Sequence, residues 1–285
     1  MKYRYGKAIR LIARIMALVL VFSLTLVSCE EEPKRNFPDN GKDVAVGNSP
    51  NKQPSGNSNS GNKNNNSNNN SNNNNSNSGK KRVAITYDDG PHNVYTVKIV
   101  DELAKYGFNA TFFVVGNRVD GTDYNGAKGI TYAASKGNEI AIHAYTHSKY
   151  YNKCSDEDYE EELSKTYDAI KAKVPNAKVK LMRPVGGAIT KERIESCDYS
   201  VILWDVDSLD WDLKHDGEAG VKQIVNNVMS TVKNGSIILM HDLYENTYLA
   251  TQQILKQLHE QGYDVVSVSE LLGSPKAGVK YSRAQ

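Results

Sequence analysis

The stretch RVAITYDDGP, residues 82–91, decides how this chain is read. Val83, Ala84, Ile85 and Thr86 are small or β-branched and predict a short buried strand over 83–86. Two adjacent carboxylates, Asp88 and Asp89, stand just past its end, and Gly90-Pro91 turns the chain away. The same unit recurs downstream. Apolar runs predict strands over 110–115, 139–143, 180–183, 201–204, 236–240 and 264–268, with amphipathic helices over 96–106, 156–174, 218–233 and 247–261. Gly107, Pro175, Gly235 and Gly262 stop those helices. Seven strands alternating with helices imply a parallel sheet, either doubly wound or closed as a (β/α) barrel.

The polar residues able to do chemistry follow the strand ends. Asp88 and Asp89 follow the first strand, His143 and His147 the third, Arg183 the fourth, residues 205–211 the fifth and His241 the sixth. In a barrel those ends share one face, the one on which active sites are built. His143 and His147 bracket HAYTH, and an i, i+4 spacing in a helical turn or tight loop points both imidazoles the same way. Two histidines and one carboxylate make a three-ligand divalent site with positions left open. Neighbouring residues off a strand end point in different directions, so Asp88 and Asp89 cannot share one job. One can bind metal while the other acts as a base. Ala144 in the second position excludes the HExxH protease pattern. A histidine pair by itself is more often a solvated face.

Composition divides the rest. Lys2, Arg4, Lys7, Arg10 and Arg14 precede an apolar run over 15–27, too short to span a bilayer and suited to a signal segment. LVSC, ending at Cys29, resembles a bacterial lipobox, which implies a lipidated cysteine at a new N-terminus. Residues 30–79, nearly pure Asn, Ser and Gly from 56 onward, cannot bury enough apolar surface to fold and are expected to form a disordered linker. Its r.m.s. reach would be about 40 Å. The globular domain is expected over 80–285. Five of the 35 basic residues lie in the leader, leaving 30 against 33 acidic, so the remainder is mildly anionic and carries no nucleic-acid footprint.

TYDDGP, HAYTH, MRPVGG, DSLDW and IILMHD, in that order over about residues 82–272, resemble the five motifs of the NodB-homology polysaccharide deacetylases, carbohydrate esterase family four. The resemblance implies a distorted (β/α) barrel, one divalent metal (zinc, with cobalt or nickel as alternatives) and hydrolysis of N- or O-acetyl groups on polysaccharides. It implies Asp89, His143 and His147 as metal ligands, Asp88 as general base and Arg183 as the residue that orients it. Asp210 would hold His241, the general acid. Gly186 would offer a backbone N–H to the oxyanion, and Trp211 and Leu239 an apolar slot for the acetyl methyl. The expected partner is an acetylated amino sugar polymer, peptidoglycan or chitin-like, reached by a monomer lipid-anchored to the outside of a bacterial membrane.

Two departures from the family pattern stand out. Ala144 replaces a usual Ser or Thr, and MRPVGG replaces the commoner RPPYG, so Gly186 sits where an aromatic ring often does. Tyr150, Tyr151 and Tyr244 are candidates to stack on sugars. His92, His215 and His259 are expected in loop or solvated positions, while Cys154 and Cys197 are open to a disulfide or to two thiols. An O-acetyl glycan esterase and a catalytically silent sugar-binding lipoprotein remain as alternative readings.

Overall fold

The computed structural model describes residues 79–121 and 127–285. The expected signal segment, with Cys29, and all of the expected linker but Gly79 lie outside the described residues. The described part belongs to one compact unit. Nine strands form a single parallel sheet: β1 (Lys81–Asp88), β2 (Thr111–Val115), β3 (Glu139–Ala144), β4 (Leu181–Met182), β5 (Ser200–Ile202), β6 (Val206–Asp207), β7 (Ile237–His241), β8 (Tyr263–Val265) and β9 (Lys280–Tyr281). Their order is β6-β7-β1-β2-β3-β4-β5-β9, with β8 added to β1.

That order forces the sheet to curl. A flat sheet would hold β6 and β5 six strand spacings apart, about 29 Å. Only Leu203, Trp204 and Asp205 join them, and four Cα steps cover at most about 15 Å. The sheet is therefore a distorted (β/α) barrel whose seam lies between its end strands β6 and β9, spanned by the β5–β6 crossover. Asp205 stitches the crossing segment to β7, its Oδ1 accepting the Ile237 N–H at 2.8 Å and its own N–H reaching the Ile237 carbonyl at 3.2 Å. The C-terminal tail fastens the same side, the Ala284 N–H donating to the Gly235 carbonyl at 2.8 Å.

Side chains alternate across the curled sheet. Ala84, Phe113, Ala141, Leu181, Ile202 and Ile237, one from each of β1, β2, β3, β4, β5 and β7, form one buried cluster, and this is the barrel interior. Their neighbours Val83, Ile85, Phe112, Ile142 and Met240 face outward into a larger core shared with the helices Tyr95–Lys105, Asp156–Lys173, Gly217–Met229 and Glu245–Glu260. Counting by twos from Ala84, Ala141, Leu181 and Ile237 along their strands reaches Asp88, His143, Arg183 and His241. The alternation that fills the interior with small and apolar groups thus delivers four polar ones to its C-terminal mouth.

The seven strands read from sequence are all present, and β6 and β9, two residues each, are additional. The last strand ends at Val265, short of the expected 268. Ser267 interrupts it by accepting the Glu270 N–H at 3.3 Å and capping the helix Val268–Leu272. Helices Ala127–Ser135 and Lys191–Ser196 were not anticipated.

Candidate metal centre and active site

The site is a cleft of about 440 Å³ at that mouth. On one wall Asp89 Oδ1 lies 3.2 Å from His143 Nε2 and 3.0 Å from His147 Nε2. One ligand atom from each of the three falls within 4.8 Å of the others, an arrangement able to hold a divalent metal. The donors are set up for it. His143 Nδ1 lies 2.8 Å from the Arg183 carbonyl, which can only accept, so Nδ1 carries a proton and Nε2, on the Asp89 side, is the nitrogen left to bind a metal. Asp89 Oδ1 is buried and has no hydrogen-bond partner. Burial pushes its carboxyl pKa up, and the two imidazoles outweigh that and hold it well below the usual carboxylate range.

Backbone geometry separates the two aspartates. Asp88 closes β1 and points inward, whereas Asp89 adopts a left-handed φ of 69° and swings to the histidines. Gly90 follows where a side chain is impossible, since a Cβ there would fall 2.2 Å from the buried Asp242 carboxylate. Thr96 Oγ1 donates to Asp242, and burial raises this carboxyl to about 7. HAYTH begins in a strand and ends in a loop: β3 runs through His143 to Ala144, and His147 is left-handed at φ 60°. Glu162 shapes that loop from the adjacent helix. Its carboxylate accepts the Tyr145 N–H at 2.7 Å, the Thr146 N–H at 2.9 Å and the Thr146 hydroxyl at 2.6 Å.

Asp88 faces Arg183, which is wholly buried. Arg183 Nη1 donates to Asp88 Oδ1 and to Thr86 Oγ1, both at 2.7 Å. Its other donors reach the carbonyls of Ile202 at 3.1 Å and Leu203 at 3.2 Å, and the guanidinium lies 4.2 Å from the Phe113 ring centroid. A buried arginine so completely partnered is a fixed positive charge beside Asp88.

His241 ends β7, the strand beside β1, where it is the register partner of Asp88. Its Nδ1–H donates to Asp210 Oδ1 at 2.8 Å and its backbone N–H to Asp210 Oδ2 at 2.7 Å, with Thr247 Oγ1 donating to the same oxygen at 2.6 Å. Burial alone lowers the imidazole pKa, but Asp210 in contact, with Asp89 and Asp88 behind it, reverses the shift and raises it to about 9. At neutral pH His241 is therefore an imidazolium whose Nε2 is available.

Trp211, Leu239, Gly186, Tyr150 and Tyr244 line the remaining wall. Gly186 is left-handed at φ 59°, and its ideal Cβ would lie 3.2 Å from the Tyr150 ring. Tyr150, 53% exposed, thus supplies an aromatic surface over the glycine that replaces one. Tyr151 corrects the expectation of a sugar-stacking ring: it is fully buried, and its hydroxyl donates to the His143 carbonyl at 3.3 Å. His92 sits in a loop and accepts the Val94 and Tyr95 N–H groups at its Nδ1. Cys154 and Cys197 are free thiols. Sequence reasoning missed Glu162, Thr247 and Asp242. Glu162 had a signal, since it shares the buried helix face of Tyr159, Leu163, Thr166 and Ile170.

A family model described as polysaccharide deacetylase matches residues 75–201. A peptidoglycan-N-acetylglucosamine deacetylase of Bacillus cereus is 36% identical over 203 residues, covering 68% of this chain and 89% of the relative. The peptidoglycan-N-acetylmuramic acid deacetylase PdaC of Bacillus subtilis is 35% identical over 67% of this chain, which spans only 39% of that longer protein. A solved structure described as T48 deacetylase with substrate superposes with a TM-score of 0.64 at 35% identity, covering 71% of this chain and 96% of the other. The chain belongs to the polysaccharide deacetylase family.

Proposed function

We propose that this protein hydrolyses N-acetyl groups on a cell-wall polysaccharide, with N-acetylglucosamine of peptidoglycan as the preferred substrate, from a lipid anchor at Cys29 outside the membrane. The observation that carries the reading is the divergence of adjacent aspartates. Asp88 meets a buried arginine and Asp89 meets two imidazoles, while His241 lines the same cleft from the neighbouring strand. Such a set has a base, a ligand cluster and an acid in one cavity.

Asp89, His143 and His147 would hold the metal, zinc in the first instance. When bound it supplies positive charge that polarises the acetyl carbonyl and makes water acidic near neutral pH. Arg183 fixes the Asp88 carboxylate in the cleft, and Asp88 accepts the proton of the attacking water as its oxygen bonds to the carbonyl carbon. The Gly186 N–H donates to the oxygen on which charge develops, a contact typically worth about 3–4 kcal/mol. The C–N bond then breaks as His241 gives its Nε2 proton to the departing nitrogen, and Asp210 stabilises the imidazolium beforehand. Trp211 and Leu239 take up the acetyl methyl. The products are acetate and a free amino sugar. The names of the two Bacillus relatives support a wall substrate.

Acetate release by the full-length protein from peptidoglycan, chitin oligomers and acetylated xylan tests this. Release from peptidoglycan, abolished by a chelator and restored by zinc, is expected. Release from xylan alone would make it an O-acetyl esterase, and none from any polymer a silent binding protein.

A further inference from the structure

The cleft holds one charged group for which the reaction above has no use. Lys214 is the sole lysine or arginine among the residues lining the cleft. Its ammonium lies 5.1 Å from the centroid of the Tyr244 ring, and among the described residues it has no ion-pair partner. The carboxylates that share the cleft, Asp88, Asp89 and Asp207, are each engaged elsewhere: with Arg183, with the two imidazoles, and with the Leu209 N–H at 2.9 Å.

Lys214 stands on a fixed frame. Leu209, left-handed at φ 56°, turns the chain, and the N–H groups of Asp212 and Leu213 both return to its carbonyl at 3.2 Å. The buried Asn246 side chain donates to the Leu213 carbonyl at 2.7 Å, and Asp210 is tied to His241. Gly220 closes against the same carbonyl, where a Cβ would approach to 2.7 Å. The backbone leading to Lys214 is thus pinned to the elements that hold the acid. A half-buried lysine whose ammonium stands beside a ring, with no ion-pair partner among the described residues, is placed to meet an anion arriving with the ligand.

We propose that Lys214 binds a carboxylate carried by the polysaccharide beside the acetamide under attack, on the same sugar or the next. The cleft thereby favours acidic amino sugar glycans over neutral ones. Away from Lys214 the cleft lining carries Asp88, Asp89 and Asp207 beside His241, the group that serves the departing nitrogen, so the charge at Lys214 decides where a further carboxylate is tolerated. The inference rests on the deacetylase reading.

A matched pair of glycans tests it: peptide-free peptidoglycan strands, whose lactyl groups end in free carboxylates, and the same strands capped as methyl amides. Full-length wild type should show a KM about fivefold lower for the carboxylate strands, the effect of a partly exposed ion pair. The gap should narrow as salt is raised. Lys214→Met should bring the two KM values together, and Lys214→Arg should keep them apart. Equal KM values in wild type, or a preference that survives Lys214→Met, overturn the inference and leave the deacetylase reading standing, because acetate is still released. No acetate from either strand overturns that reading, and the inference with it.

Discussion

The two walls of the cleft reach the same rigidity by opposite means. The metal-binding wall bends its backbone: Asp89 and His147 both sit at positive φ, a region side chains other than glycine seldom occupy, and Glu162 braces the loop between the histidines. The acid wall keeps His241 in the regular ladder of β7 and brings Asp210 to it, fixing ring and backbone with the two oxygens of one carboxylate. A ligand set needs three atoms converging on a point, which regular strands cannot supply. A proton donor needs one orientation and a tuned charge, which a strand end and a buried anion supply directly.

The largest effect should come from removing a ligand. His143→Ala should abolish bound metal and acetate release together, and full metal occupancy by mass spectrometry would break the assignment. Next, Asp88→Asn should keep the metal while turnover falls by about 10²–10⁴-fold. Asp89→Asn should lose affinity for metal and regain part of its activity when metal is added; the reverse pattern would exchange the two roles. On the acid wall, Asp210→Asn should lower turnover by about a hundredfold. It should also move a pH limit. With the His241 pKa raised to about 9, activity falls as pH rises past that value and the proton is lost. Without the anion that raises the pKa, the alkaline limb must shift to lower pH, and an unmoved limb would show that Asp210 does not tune the acid.

Glu162→Gln should have a smaller and one-sided effect: metal affinity weaker by about tenfold or more, with turnover recovered at saturating metal and the alkaline limb in place. A shifted limb would mean the two walls are not independent. Cys29→Ala should change neither metal content nor turnover. It should remove the protein from the membrane fraction and abolish fatty-acid labelling.

The metal wall and the acid wall were also unequally legible. Strand ends announce themselves where a β-branched run meets polar residues, and TYDDGP and HAYTH do so within a few residues. The alternation of Ala84, Thr86 and Asp88 even fixes which aspartate faces inward, given the strand. What supports the site from a distance was harder to read. Glu162 lies in a run of six acidic residues among seven between Asp156 and Glu162, and only the burial of Tyr159 and Leu163 beside it marks it as turned inward. Tyr150 and Tyr151 are adjacent and chemically alike, so sequence could not say that one floors the cleft and the other is sealed beneath His143. β6 and β9 are too short to carry a periodic signal at all. Ser267-Val268-Ser269-Glu270 did carry a capping signal that would have ended the last strand in time.

Arg183 gives the seam of the barrel a second meaning. There the β5–β6 crossover spans the gap between the end strands β6 and β9 by chain and not by strand pairing, and Arg183 holds that crossover through the carbonyls of Ile202 and Leu203. The same guanidinium is the counter-charge of Asp88. Opening there would part the base from its partner while the rest of the sheet was still paired. Damage is thus reported early, as silence. A molecule loosened by heat or proteolysis would stop working while still mostly folded, and would not linger as a poorly discriminating hydrolase.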